Sequence, residues 1–212
     1  MPLLYLITDR RVLSHRTSEA DLRSVQDLIK RALRAGVDMI QIRERDLSAR
    51  DLLSLVEPAA SLANECGARV LANDRADVAA AAGAGVHLTT RSMKPEVVRR
   101  AFGAEMLIGV STHSIEEAEA AERGLADFIV FGPVFETSSK GEYGPPLGLD
   151  ALRAVTARSR IRVLALGGIN LTNFRAALDA GAAGIAGISL FAERENLERI
   201  VRTIKSTRLR AD

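Results

Sequence analysis

The sequence predicts an α/β protein folded as one closed (β/α)8 barrel, a TIM barrel, and three observations carry that prediction. Apolar runs of four to six residues alternate with longer stretches whose apolar residues recur at helical spacing, the rhythm of repeated βα units. Eight such runs occur, the number that closes a parallel sheet on itself. The turn from helix to strand also recurs: Ala35-Gly36-Val37-Asp38, Ala82-Gly83-Ala84-Gly85, Arg123-Gly124-Leu125-Ala126-Asp127 and Ala180-Gly181-Ala182-Ala183-Gly184 each precede an apolar run. A doubly wound open sheet is the alternative for the same alternation. At 212 residues the chain is compact for a barrel, yet the strict pairing of eight strands with eight helices favours closure.

In chain order, strand 3–7 is paired with helix 18–35 and ends at Gly36; strand 39–42 is paired with helix 48–66 and ends at Gly67. Strand 69–72 leads to helix 75–82 and Gly83, and strand 85–88 to helix 95–102 and Gly103. Strand 107–110 precedes helix 115–123, where Ser114 followed by Glu117 forms a capping box and Gly124 marks the end. Strands 128–131, 163–166 and 185–188 are followed by helices 149–157, 172–180 and 197–206, with Gly181 after the second of these. Each glycine stands where a helix ends and a residue at positive φ is expected. Residues 1–212 therefore read as a single barrel domain, with a polar, basic tail from about residue 207.

Composition narrows the function. With 47% hydrophobic and 26% charged residues the chain closes a sizeable core. A net charge of +2 and 4% aromatic residues argue against a nucleic-acid partner, which demands a basic surface and stacking platforms. The single cysteine, Cys66, forms no internal disulfide and suits a reducing compartment. No basic leader and no long apolar span are visible, so a cytoplasmic protein with no membrane partner is expected.

In a barrel the reactive groups follow the strands, and here those residues are polar. Arg43 and Arg45 leave one strand end at a spacing of two, share a face and suit an anion; ion pairs with Glu44 or Asp46 are the alternative. Asn73 and Asp74 follow the third strand, and Asp74 offers either one magnesium carboxylate or a helix N-cap. Ser111 and His113 follow the fifth; of the three histidines, His15 lies in a loop and His87 inside a strand, so only His113 is placed for chemistry. The long segment 132–148 carries Thr137, Ser139 and Lys140, two hydroxyls and an ammonium for anionic oxygens. Gly167 and Gly168 precede a predicted helix and, with Ile188 and Ser189 at the last strand end, stand where such barrels bind phosphate. The basic residues of the C-terminal helix, Lys205 among them, carry no assigned function.

These motifs resemble a known family. Tyr-Leu-Ile-Thr-Asp (5–9), Gln-Ile-Arg-Glu-Arg (41–45), Asn-Asp (73–74), Gly-Val-His-Leu (85–88), Gly-Val-Ser-Thr-His (109–113), Phe-Gly-Pro-Val-Phe-Glu-Thr-Ser-Ser-Lys (131–140) and Leu-Gly-Gly-Ile (166–169) are similar to thiamine phosphate synthase and its sister, thiazole tautomerase. The synthase joins a pyrimidine methyl diphosphate to a thiazole phosphate, releasing diphosphate with the help of magnesium. The resemblance implies that Asn73 and Asp74 face diphosphate and metal, with Ser111 near the diphosphate. It implies that Thr137, Ser139 and Lys140 meet the phosphate-rich ligand and that Gly168, Ile188 and Ser189 hold the thiazole phosphate.

Two departures shape the expected reaction. Synthases carry Gly-Gln-any-Asp after Gly-Val-His-Leu, but Thr89-Thr90-Arg91-Ser92 stands here, so Ser92 replaces the second metal carboxylate. Arg45 replaces the lysine common in synthases. A weaker cation site disfavours diphosphate departure, so the expectation is the tautomerase: metal-free aromatisation of the carboxylated thiazole phosphate, with His113 transferring the proton. The synthase with Mg2+ is the first alternative, and a non-catalytic barrel that binds a phosphorylated metabolite is the second. In each case the partner is a small phosphorylated thiazole or a similar metabolite.

Overall fold

The computed structural model describes residues 1–13, 19–137, 145–192 and 196–208. Eight parallel strands, β1 (Leu3–Ile7), β2 (Met39–Ile42), β3 (Arg69–Asn73), β4 (Gly85–Leu88), β5 (Ile108–Thr112), β6 (Phe128–Phe131), β7 (Arg162–Ala165) and β8 (Gly184–Gly187), pair in sequence order. The sheet closes where β1 meets β8, with Leu4 opposite Ile185 and Leu6 opposite Gly187. The open doubly wound sheet is thereby excluded.

Around this wall stand α1 (Arg10–Leu13), α2 (Glu19–Ala35), α3 (Ala49–Glu65), α4 (Ala76–Ala81), α5 (Pro95–Phe102), α6 (Ile115–Arg123), α7 (Gly148–Arg158), α8 (Phe174–Asp179), α9 (Ser189–Ala192) and α10 (Leu197–Lys205). Helices α1 and α9 are single turns that carry too few residues for a periodic signal, and neither is expected from the sequence. Helix α8 starts at Phe174 rather than at residue 172, because the side chains of Asn170 and Asn173 bond backbone N–H groups ahead of it and hold a turn there.

Strand alternation divides the core in two. Leu4, Leu6, Ile40, Ile42, Ala72, Val86, Ile108, Ile129 and Ile185 face outward and pack under the helices. Tyr5, Ile7, Met39, Leu71, Phe128, Val130, Leu164 and Ala186 point inward and fill the barrel axis. Interior space is tight: a Cβ on Gly109 would lie 2.3 Å from Phe128 Cζ and 2.9 Å from His87 Nδ1, so only glycine admits both rings.

The expected helix caps are largely present. Ser114 Oγ accepts from Glu117 N at 3.2 Å, and Gly36, Gly67, Gly83, Gly103 and Gly181 all have positive φ. Gly124 does not; its φ is −78°, and Leu125 takes the left-handed conformation instead. A Cβ there would meet the Glu96 carboxylate at 2.8 Å, and that exposed side chain would have to turn aside. Of the expected basic tail, residues 209–212 lie outside the described residues. Among the described residues no helix is long and apolar enough to cross a membrane.

Candidate active site

The C-terminal ends of the strands surround a cavity of about 590 Å3. Its lining includes Arg43, Arg45, Asn73, Ser111, His113, Thr137, Gly167 and Ile188, which the sequence had brought forward as separate motifs. Asp74, Gly168 and Ser189 adjoin lining residues in the chain but are not part of the wall. Ser139 and Lys140 lie outside the described residues.

Alternation explains the arginines. Arg43 and Arg45 face the cavity, while Glu44 between them turns into the wall, where it accepts from Thr8 Oγ1 at 2.8 Å and from Arg10 Nη1 at 3.2 Å. Burial pushes the Glu44 carboxyl above its ordinary range, and the bonds from Thr8 and Arg10 pull it partly back. Asp46 pairs with Arg10 as well, so neither acid pairs with Arg43 or Arg45, contrary to the alternative ion pairs. Arg43 Nη1 instead lies 3.5 Å from Asp9 Oδ2. Burial alone would raise the Asp9 carboxyl, but two bonds from the Arg11 guanidinium and the charges of Arg11 and Arg43 hold it below the usual range. Among the described residues no side chain pairs with the Arg45 or Arg91 guanidinium, which leaves both groups open to a ligand.

Asp74 is not a helix cap. It follows β3 with φ +64°, its N–H donates to His87 O at 2.8 Å, and α4 is capped by Arg75 with no side-chain bond. Its carboxylate is exposed. The Ser92 hydroxyl is committed locally: it accepts from Thr89 N at 2.8 Å and lies 3.0 Å from Thr89 Oγ1, which closes a small turn. Among the described residues no group of three or more His, Cys, Asp or Glu side chains converges. The donor set fits magnesium only as a site that one carboxylate begins and ligand phosphates and water complete.

On the opposite side, Gly167 and Gly168 have φ values of +99° and +63°. A Cβ on Gly168 would lie 2.1 Å from Glu136 O, so the left-handed turn and the close strand-six loop both demand glycine. Neither glycine N–H donates to a backbone acceptor among the described residues. Because α8 starts six residues beyond Gly168, the part of a phosphate cradle made by Gly167 and Gly168 is the turn itself and not the end of α8.

His113 lines the rim, held by Glu117: its backbone N–H donates to Glu117 Oε2 at 2.7 Å, and its Nδ1 lies 3.0 Å from the same oxygen. The capping-box carboxylate therefore reaches the residue before the cap and orients the ring.

Sequence reasoning missed several lining residues. Gln41 is buried on the inward face two residues before Arg43 and donates Nε2–H to Asn73 Oδ1 at 2.9 Å; a polar residue in register with an arginine was the available signal. His87, passed over as a strand residue, lies beneath the floor between Tyr5 Oη at 3.1 Å and Ser111 Oγ at 2.8 Å. Burial, aided by the Arg43 charge, lowers its pKa to about 3, and burial raises the Tyr5 hydroxyl well above its ordinary range.

A family model described as thiamine monophosphate synthase matches residues 4–191. A thiamine-phosphate synthase of Chlorobium luteolum is 39% identical over 204 residues, 96% of this chain and 91% of the relative. One from Roseiflexus sp. is 39% identical over 188 residues, covering 88% and 77%. The solved structure of thiamine phosphate pyrophosphorylase from Pyrococcus furiosus superposes with a TM-score of 0.82 at 33% identity, covering 96% of this chain and 93% of that one.

These findings overturn the expected tautomerase. The relatives matched over nearly the whole chain are thiamine-phosphate synthases, so Ser92 and Arg45 do not suffice to assign the sister enzyme. Arg43, Arg45 and Arg91 line one cavity and bring positive charge to it; the proton transfer expected of His113 belonged to the aromatisation and is not carried over. With matches that run the length of the barrel and agree on one activity, this chain belongs to the thiamine monophosphate synthase family.

Proposed function

We propose that this protein joins a pyrimidine methyl diphosphate to a thiazole phosphate, forming thiamine phosphate and releasing diphosphate. The observation that carries this reading is the convergence of Arg43, Arg45 and Arg91 on one cavity that also exposes Asn73 and Ser111. Three guanidinium groups around a polar floor match a ligand with several anionic oxygens, and a forked guanidinium binds such oxygens two at a time.

The thiazole nitrogen displaces diphosphate from the pyrimidine methylene carbon, so negative charge grows on the bridging oxygen as the C–O bond breaks. Fixed positive charge near that oxygen lowers the barrier because it is already oriented before the bond breaks. Arg43, Arg45 and Arg91 supply it, Asn73 and Ser111 add neutral hydrogen bonds, and Thr137 contacts the ligand from the strand-six loop. Ser139 and Lys140 are proposed for the same anion. Asp74 would hold magnesium together with diphosphate oxygens and water, and the ion, when bound, adds to the charge that neutralises the leaving group. The thiazole phosphate is assigned to the backbone of Gly167, Gly168, Ile188 and Ser189, across the cavity from Asp74. His113 and its Glu117 partner shape the rim and take no proton in this reaction.

The test is thiamine phosphate formation from the two substrates with one diphosphate released per product. Substrate binding without product would overturn the assignment.

A further inference from the structure

Tyr5 and His87 lie below the cavity floor, where none of the charged ligand contacts is found. Tyr5 is fully buried in the inward-facing core layer, its ring edge-on to Phe128 at a centroid distance of 5.5 Å. Its hydroxyl has one hydrogen-bond partner among the described residues, His87 Nδ1 at 3.1 Å. The His87 ring is buried, and its other nitrogen, Nε2, lies 2.8 Å from Ser111 Oγ, which lines the cavity. A line of three groups thus runs from the barrel axis to the ligand space.

Its direction follows from counting donors. The tyrosine is protonated, since burial raises its hydroxyl well above the ordinary value, and the imidazole is neutral, since burial and the Arg43 charge hold it near 3. A neutral imidazole has one N–H and one lone pair. If Nδ1 carried the proton, it would donate to Tyr5 Oη, and the Tyr5 proton would have no other acceptor among the described residues, an expensive state for a buried hydroxyl. The satisfied arrangement has Tyr5 Oη–H donating to Nδ1 and Nε2–H donating to Ser111 Oγ. Ser111 then accepts from below, and its own proton turns into the ligand space of the cavity.

We propose that Tyr5 is a positioning residue that acts through His87 to fix Ser111 as a hydrogen-bond donor to a diphosphate oxygen. The identity of the ligand rests on the synthase reading, and the polarity of the chain rests on geometry. A serine free to rotate has to give up that freedom to present its proton to a phosphate oxygen; this one is oriented before the ligand arrives.

Two measurements test it. In 15N NMR of the wild-type protein without ligand, His87 is expected in the Nε2-protonated neutral form; an Nδ1-protonated ring overturns the relay and needs no variant to show it. In calorimetric titration with inorganic diphosphate, Tyr5→Phe is expected to weaken binding about 3- to 10-fold, the range of one neutral hydrogen bond. In a Ser111→Ala background the same Tyr5→Phe change is expected to cost less than about 2-fold, because its effect travels through the missing hydroxyl. An equal loss in both backgrounds marks a packing role and overturns the proposal. Absence of diphosphate binding in a wild-type protein with Nε2-protonated His87 overturns the synthase reading and this ligand, while the Nδ1 form with intact binding overturns the relay alone.

Discussion

The two ends of the barrel treat charge in opposite ways. At the N-terminal end, Asp38 and Asp127 each stand just before a strand and serve two partners. Asp38 accepts from Leu4 N at 2.7 Å and pairs with Lys205 at 2.5 Å, while Asp127 accepts from Ile108 N at 2.6 Å and pairs with Arg99 at 2.9 Å. Arg99 also donates to the carbonyls of Ala104, Met106 and Leu125. The two aspartates belong to the recurring helix-to-strand turn, so in two of its four copies the turn staples neighbouring strands to each other and to a helix. At the C-terminal end, Arg45 and Arg91 line the cavity and Asp74 adjoins it, and among the described residues no side-chain hydrogen bond or ion pair saturates them. The lesson is that similar charges stabilise one end and remain available for a ligand at the other, as expected when a barrel keeps stability and chemistry on opposite faces.

This contrast can be broken or sharpened by experiment. The largest effect is expected where the polar end reaches into the core. Neutral, buried His87 binds a proton only near pH 3, whereas in the unfolded chain it does so near its ordinary value of 6.5. The unfolded state therefore takes up the extra proton as pH falls between these values, and stability declines by up to about 1.4 kcal/mol per pH unit, roughly 5 kcal/mol in all. Urea unfolding of the wild type and of His87→Gln across pH 3–7 checks it; the variant is expected to lack this component of the slope.

Next, Arg45→Ala is expected to lower kcat/KM by about 10²–10³-fold, the usual cost of removing one oriented group from developing charge, with a melting temperature within about 1 °C of wild type. A comparable loss of stability would place Arg45 with the structural charges instead. Asp127→Ala is expected to do the reverse: it leaves Ile108 N without its acceptor and removes the charge partner of Arg99, for a loss of about 2–3 kcal/mol in urea unfolding. Its kcat/KM at permissive temperature is expected to stay within about 2-fold of wild type.

The smallest effect is expected for an exposed pair that belongs to neither end's specialised set. Hydrogen bonds from the Arg75 guanidinium lower the Asp77 carboxyl to about 2. A depressed carboxylate stabilises the fold above its ordinary value near 3.8 and loses that contribution as pH falls towards 2. Solvent screening keeps the contribution below about 1 kcal/mol, so Asp77→Asn should differ from wild type by less than that at pH 7 and converge with it below pH 2. Thermal unfolding at the two pH values checks this.

The barrel, its eight strands and the rim that carries chemistry were legible in the amino-acid order, because strand direction and the side-chain period of two are local properties. Arg43 and Arg45 share the cavity wall because they are two residues apart, and six of the seven motifs meet there because closing the sheet brings every strand end to one mouth. Partner choice was not legible. Whether Asp74 capped a helix, whether Glu44 paired with its neighbours, and whether His87 was only a strand residue depended on groups up to 82 positions away, such as Tyr5 for His87. The weight to give Ser92 also depended on the whole cavity, since Arg45 and Arg91 come from different strand ends and add their charge only once the barrel closes. Local sequence determined where each side chain points; hydrogen-bond partners and electrostatic balance were decided by tertiary structure, because both depend on distance in space and on exclusion of water, which chain order does not encode locally.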